Sequence, residues 1–123
     1  MPSKSSTGFN FRRPVAYDAA GKRAFHSRAR SQLRRLAATL GLGPGCYDLR
    51  SNYGGIVSGE AVLYTDRFYV QVCQPATGHD SGILFRTCKG RNDYVGGPNN
   101  FASLDLLNCP DELSRRIREA CHA

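Results

Sequence analysis

No apolar run in these 123 residues approaches the ~18 residues that a membrane-spanning helix needs. The N-terminal stretch MPSKSSTGFNFRRP lacks the continuous apolar segment that follows the charges of a secretory leader. Together these absences lead us to expect a cytoplasmic chain with no membrane partner. Paired cysteines are missing too. Cys46, Cys73, Cys88, Cys109 and Cys121 are widely spaced and odd in number, with no CxxC and no Cys/His spacing suited to zinc. A disulfide framework is therefore not expected, no metal or other cofactor is implied, and most of these thiols read as small buried hydrophobes.

Familiar catalytic signatures are also lacking. GHDSG sets His79, Asp80 and Ser81 side by side, whereas a triad needs groups that converge from separate places. Its serine stands fourth, not third as in a G-x-S-x-G elbow. Gly90, Gly96 and Gly97 match neither a phosphate loop nor a dinucleotide fingerprint. No paired carboxylates suit acid–base work, and the glycine-aromatic signature of RNA-recognition sheets is absent. Cys88 is the best-placed nucleophile, because Arg86, Lys89 and Arg91 favour a thiolate. Its base would have to come from His26, His79 or His122. The expectation is a protein that is not an enzyme, with a small cysteine-dependent enzyme using Cys88 as an alternative.

What the sequence does have is segregated charge. Residues 1–40 hold nine cations against the single acid Asp18, a net of +8, while residues 41–123 hold eight cations and nine acids. The whole surplus of +7 thus lies in the N-terminal third, as an electrostatic footprint would. Residues 1–16, with Phe9 and Phe11 as anchors, read as a flexible basic arm, and residues 17–123 as one α+β domain.

From Asp18 to Gly41 the pattern is helical, with an acid suited to the N-cap and a glycine suited to the left-handed C-terminal position. Phe25, Ala29, Leu33, Leu36, Ala37 and Leu40 make one apolar stripe about 120° wide. Arg23, Arg30 and Arg34 flank it on one side, Arg28 and Arg35 on the other. Tyr47–Arg50 reads as a short strand and SNYGG as a turn. EAVLYT and FYVQVC, joined by Asp66-Arg67, predict a hairpin pairing Thr65 with Phe68, Tyr64 with Tyr69, Leu63 with Val70 and Val62 with Gln71. A one-residue shift or a longer loop stays open, because Asp-Arg is not a favoured two-residue turn. ILFRTC continues the meander, SLDLLN starts a short helix near Ser103, and Pro110 opens a last helix with Leu113, Ile117 and Ala120 or Cys121 inward. The fold class is α+β: an N-terminal amphipathic helix, a three- to four-stranded antiparallel meander, and one or two C-terminal helices, all helices on one sheet face.

Three surfaces are candidates. The arginines of the helix can follow phosphates, or meet an acidic protein surface, or simply lie in solvent with their stems over apolar neighbours. Tyr64, Tyr69 and Arg86 share the wetter sheet face and can stack unpaired bases, although facing tyrosines also stabilise sheets by themselves. CKGRNDYVGGPNNF is rich in donors: Lys89, Arg91, Asn92, Tyr94, Asn99 and Asn100. It reads as a binding loop held at both ends by core residues, with Phe101 re-entering the core.

LYTDRFYVQVCQP and ILFRTCKGRNDYVGGPNNFASLDLL, within residues 47–107, resemble small accessory proteins of proteobacterial mobile elements and phages. That resemblance brings no catalytic residue. It implies a context: proteins of this kind often act against host defence, as anti-CRISPR and anti-restriction proteins do, by binding a nuclease complex. Many such inhibitors are acidic mimics of DNA, and this basic chain departs from that pattern. The expected function is a non-catalytic protein that contacts nucleic acid or a nucleoprotein complex, with a protein-only interaction or regulatory module as the alternative.

Overall fold

The computed structural model describes residues 19–52, 60–73, 82–91 and 96–121. The basic arm 1–16, the Asp18 cap and His79, Asp80, Ser81, Asn92, Tyr94 and His122 lie outside them. Helix α1 spans Ala19–Thr39. Its stripe is inward: Phe25, Ala29, Leu33, Leu36 and Ala37 are buried, and Leu40 packs against them. Each large side chain removed from water in this way contributes about 1.5–3 kcal/mol.

The helix stops where glycine permits. Gly41 sits at φ +79°; its N–H donates to the Ala38 carbonyl at 3.0 Å, and the Leu42 N–H donates to the Ala37 carbonyl at 2.9 Å. This paired closure satisfies two carbonyls at the helix end and turns Leu42 back onto the core.

Five strands follow: β1 (Asp48–Asn52), β2 (Glu60–Tyr64), β3 (Phe68–Cys73), β4 (Ile83–Thr87) and β5 (Asn100–Ala102). They form one antiparallel sheet in chain order. The central hairpin has the expected register, with Tyr64 opposite Tyr69, Leu63 opposite Val70 and Val62 opposite Gln71. Thr65 explains how Asp-Arg can close it. Its Oγ1 accepts from the N–H groups of Arg67 (3.1 Å) and Phe68 (3.0 Å) and donates to the Phe68 carbonyl at 2.9 Å.

The sheet has more strands than the three or four expected from sequence. β5 is three residues long, too short to show alternation, and lies within turn-like PNNF. Ser51 and Asn52, read as part of a turn, belong to β1 and pair with Ala61 and Glu60. Beyond β5, Ser103 caps a 3-10 turn at Leu104–Asn108, and helix α2 runs from Pro110 to Cys121.

Both helices cover the same sheet face. Phe25, Leu33 and Leu36 of α1 and Leu113 and Ile117 of α2 share one core with Leu63, Val70, Val72, Ile83 and Phe85. Gln32 donates its Nε2 to Asn108 Oδ1 at 2.8 Å, tying α1 to the 3-10 turn. No described helix is long and apolar enough to cross a membrane.

Two glycines set different constraints. Gly41 has open space around it but a positive φ, so Gly41→Ala should cost about 1–2 kcal/mol by chemical denaturation. At Gly96, a Cβ would lie 1.7 Å from the Thr87 carbonyl oxygen, which only backbone movement can relieve. Gly96→Ala should therefore destabilise the fold more than Gly41→Ala; equal denaturation midpoints for Gly96→Ala and wild type would refute this packing.

Candidate functional site

Strand alternation sends Leu49, Leu63, Val70 and Phe85 toward the helices and their neighbours to the opposite face. Two cross-strand rows define that outer face. One runs Asp48, Tyr64, Tyr69, Arg86, and Arg86 Nη1 donates to Asn99 Oδ1 at 3.0 Å. The other runs Arg50, Val62, Gln71, Leu84, Phe101.

The rings and cations of these rows are in contact. The Arg50 guanidinium carbon lies 4.6 Å from the Tyr64 ring centroid, and that of Arg86 lies 5.5 Å from the centroid of Tyr69. Between them the two tyrosine rings are 6.2 Å apart and tilted by 41°. A cation–aromatic–aromatic–cation stripe thus crosses four strands. Such contacts are attractive through the ring quadrupole and hold the guanidinium groups against the rings.

Phe101 corrects an expectation. It does not re-enter the core but is 55% exposed, the one large hydrophobic side chain so exposed among the described residues. The cause is the pleat: Ala102, opposite Ile83, takes the inward position of β5, so Phe101 must face outward beside Leu84.

The arginines of α1 lie on the helical layer, across the sheet from the tyrosines. Arg23, Arg34 and Arg35 are exposed, and Arg28 and Arg30 are half-buried. Arg30 Nη1 donates to Ser51 Oγ at 3.1 Å, and Arg35 Nη1 donates to Gln32 Oε1 at 3.4 Å.

The donor-rich loop is partly engaged by its own fold. Arg91 donates to Asp66 Oδ1 (3.0 Å), to Asp48 Oδ2 (3.1 Å) and to the Gly45 carbonyl. One guanidinium therefore ties the end of β4 to the hairpin turn, the start of β1 and the loop after α1. Burial pulls the Arg91 pKa down, but the hydrogen bonds and charges of Asp48 and Asp66 outweigh it and hold the group above its ordinary value. Asn100 donates to the Phe85 and Pro98 carbonyls, both at 3.2 Å, so it serves the β4–β5 edge. Lys89 is exposed.

Cys88 is half-buried, and its thiol faces the Thr65 carbonyl at 3.6 Å. Among the described residues the one histidine, His26, is buried edge-on against Phe25 at 5.5 Å, within the α1 packing. No group of three or more metal-ligating side chains occurs among the described residues. Burial and then the neighbouring Glu60 charge push the Cys73 thiol up. Burial, followed by the Cys88 charge, pushes Cys121 up to about 11.

Sequence reasoning missed Arg50 and Phe101 as members of the outer face, whereas Gln71 and Leu84 lie there as the strand alternation predicts. The signal for Arg50 was the alternation DLRSN, whose odd positions point outward, but a five-residue strand beside glycines carries it weakly.

Removing the Arg91 clamp leaves Asp48 and Asp66 without their shared cation. Arg91→Ala should lower the melting temperature, and adding Asp48→Asn with Asp66→Asn should recover part of the loss. Strict additivity of the three changes would argue against the clamp. For Cys121 the folded pKa lies above the ordinary thiol value of 9.0. Its contribution to stability is present below pH 9 and lost as pH rises through about 11. Stability should fall over that window, and Cys121→Ala should flatten the fall; an unchanged slope in the variant would contradict it. Compared with protein-family models, curated proteins and solved structures, the chain matches none.

Proposed function

We propose that the protein is a non-catalytic module that binds single-stranded nucleic acid on the outer face of its sheet. The observation that carries this reading is the stripe Arg50, Tyr64, Tyr69, Arg86, flanked by exposed Phe101. Aromatic faces accept any unpaired base, each stack being worth ~1–3 kcal/mol, and guanidinium groups at both ends of the stripe can meet the phosphates that link those bases. Gln71, half-buried in the neighbouring row, offers an amide within the same surface. Chain charge supports the reading as well, since +7 favours a polyanion at long range.

Such a surface suits a protein that acts on a nuclease complex through its bound nucleic acid. That is the host-defence setting which the resemblance to mobile-element proteins implies. The same cations could instead face an acidic protein, and the experiment separates the two.

Fluorescence anisotropy with labelled single-stranded RNA and DNA tests the proposal. Tyr64→Ala and Tyr69→Ala should each weaken binding about fivefold to a hundredfold, while Tyr64→Phe and Tyr69→Phe retain it. Far-ultraviolet circular dichroism should show all four variants folded. Cys88→Ser should bind like wild type. The reading is wrong if wild-type protein binds no single strand, or if both alanine variants bind as tightly as wild type.

A further inference from the structure

Helix α1 has 21 residues and no acid, yet it carries Lys22, Arg23, Arg28, Arg30, Arg34 and Arg35. This basic surface and the tyrosine stripe lie on opposite sides of the sheet. What joins them is β1, the outermost strand on that side of the described sheet.

Arg30 reaches from α1 to Ser51 of β1, Nη1 to Oγ, at 3.1 Å. Ser51 faces the helical layer, opposite Ala61. The residue before it, Arg50, projects to the other face and lies 4.6 Å over Tyr64. Arg30 and Arg50 therefore stand on the two sides of a single strand. Arg23 and Arg34 fall within about 40° of Arg30 around the helix axis, and both are exposed. Five cations, Arg23, Arg30, Arg34, Arg50 and Arg86, so form a band that runs from the helix flank across the edge strand to the stripe.

Among the described residues, two acids border this band. Asp48, at one end of β1, is paired with Arg91 at 3.1 Å. Glu60 lies at the far end, opposite Asn52.

We infer that a nucleic-acid strand seated on the outer face continues round the β1 edge and lays its phosphates along the Arg23, Arg30 and Arg34 flank of α1. This inference rests on the single-strand reading above and specifies the ligand further. The path doubles back round one edge strand, a turn that a duplex with a persistence length of about 150 base pairs cannot make. The path requires a flexible single strand, longer than the face alone would hold.

The test is the salt dependence of binding to two lengths of single strand, about 4 and about 16 nucleotides. Oligouridylate and oligothymidylate are used in parallel arms, with a duplex of the longer length as a third. Each neutralised phosphate contributes a slope of about −0.7 in log K against log salt. The short strand, meeting Arg50 and Arg86, should give about −1.4, and the long strand, meeting all five cations, about −3.5. Arg23→Gln with Arg34→Gln, both at exposed positions, should bring the long-strand slope to about −2.1 and leave the short strand unchanged. Adding Arg30→Gln should bring both lengths to about −1.4.

Equal slopes for the two lengths in wild type, with binding that still depends on Tyr64 and Tyr69, overturn this path alone. A duplex that binds with the long-strand slope also overturns it. Binding of neither length overturns the path and the proposed function together.

Discussion

Burial of the α1 stripe against one face of the meander is the constraint on which the rest of the structure depends. Phe25, Leu33 and Leu36 are removed from water by Leu63, Val70 and their neighbours. Because strand side chains alternate, that burial orients every other residue in the sheet as well. A one-residue slip between β2 and β3 would flip one of the two strands, bringing Tyr64 or Tyr69 inward and turning Leu63 or Val70 out to water. The core thus enforces the outer face without touching it.

Two small devices protect this arrangement at the end of the sheet. Thr65 organises the hairpin turn with its hydroxyl, which holds the register of the two central strands. Arg91 joins that turn to the start of β1 and to the loop after α1. It also places a cation against Asp48 and Asp66, two acids that would otherwise stand bare at the end of the tyrosine row. A residue from the donor-rich loop thereby supports the local charge of a surface that it need not itself contact.

In our proposal the surface acts as a platform and not as a reaction centre. Cys88 is turned toward the Thr65 carbonyl, and the described histidine is packed in the core. The outer face presents two aromatic rings between two cations, which we propose meet bases and the phosphates that connect them. In our proposal its position next to a sheet edge matters as much as its composition, because the edge gives a flexible chain a route to the basic helix.

The local elements were legible in the sequence to a large extent. Helix α1 was marked by a 3.6-residue stripe and by Gly41, the hairpin by alternating EAVLYT and FYVQVC, and α2 by Pro110 followed by acids. Patterns of that kind are local, so a single chain reveals them. The three-residue β5 and the strand character of Ser51-Asn52 were hidden, because their stability comes from neighbours distant in sequence and not from propensity.

The candidate site was half legible. Strand alternation and helical periodicity identified Tyr64, Tyr69, Arg86 and the arginines of α1 as groups of interest. Only the tertiary structure decided that Arg50 and Phe101 belong with the tyrosines, and that Arg91 is engaged by Asp48 and Asp66. Each of these depends on which strands lie side by side. Pairing across the sheet is a long-range contact, and it determines which side chains meet in a way that no short stretch of sequence can.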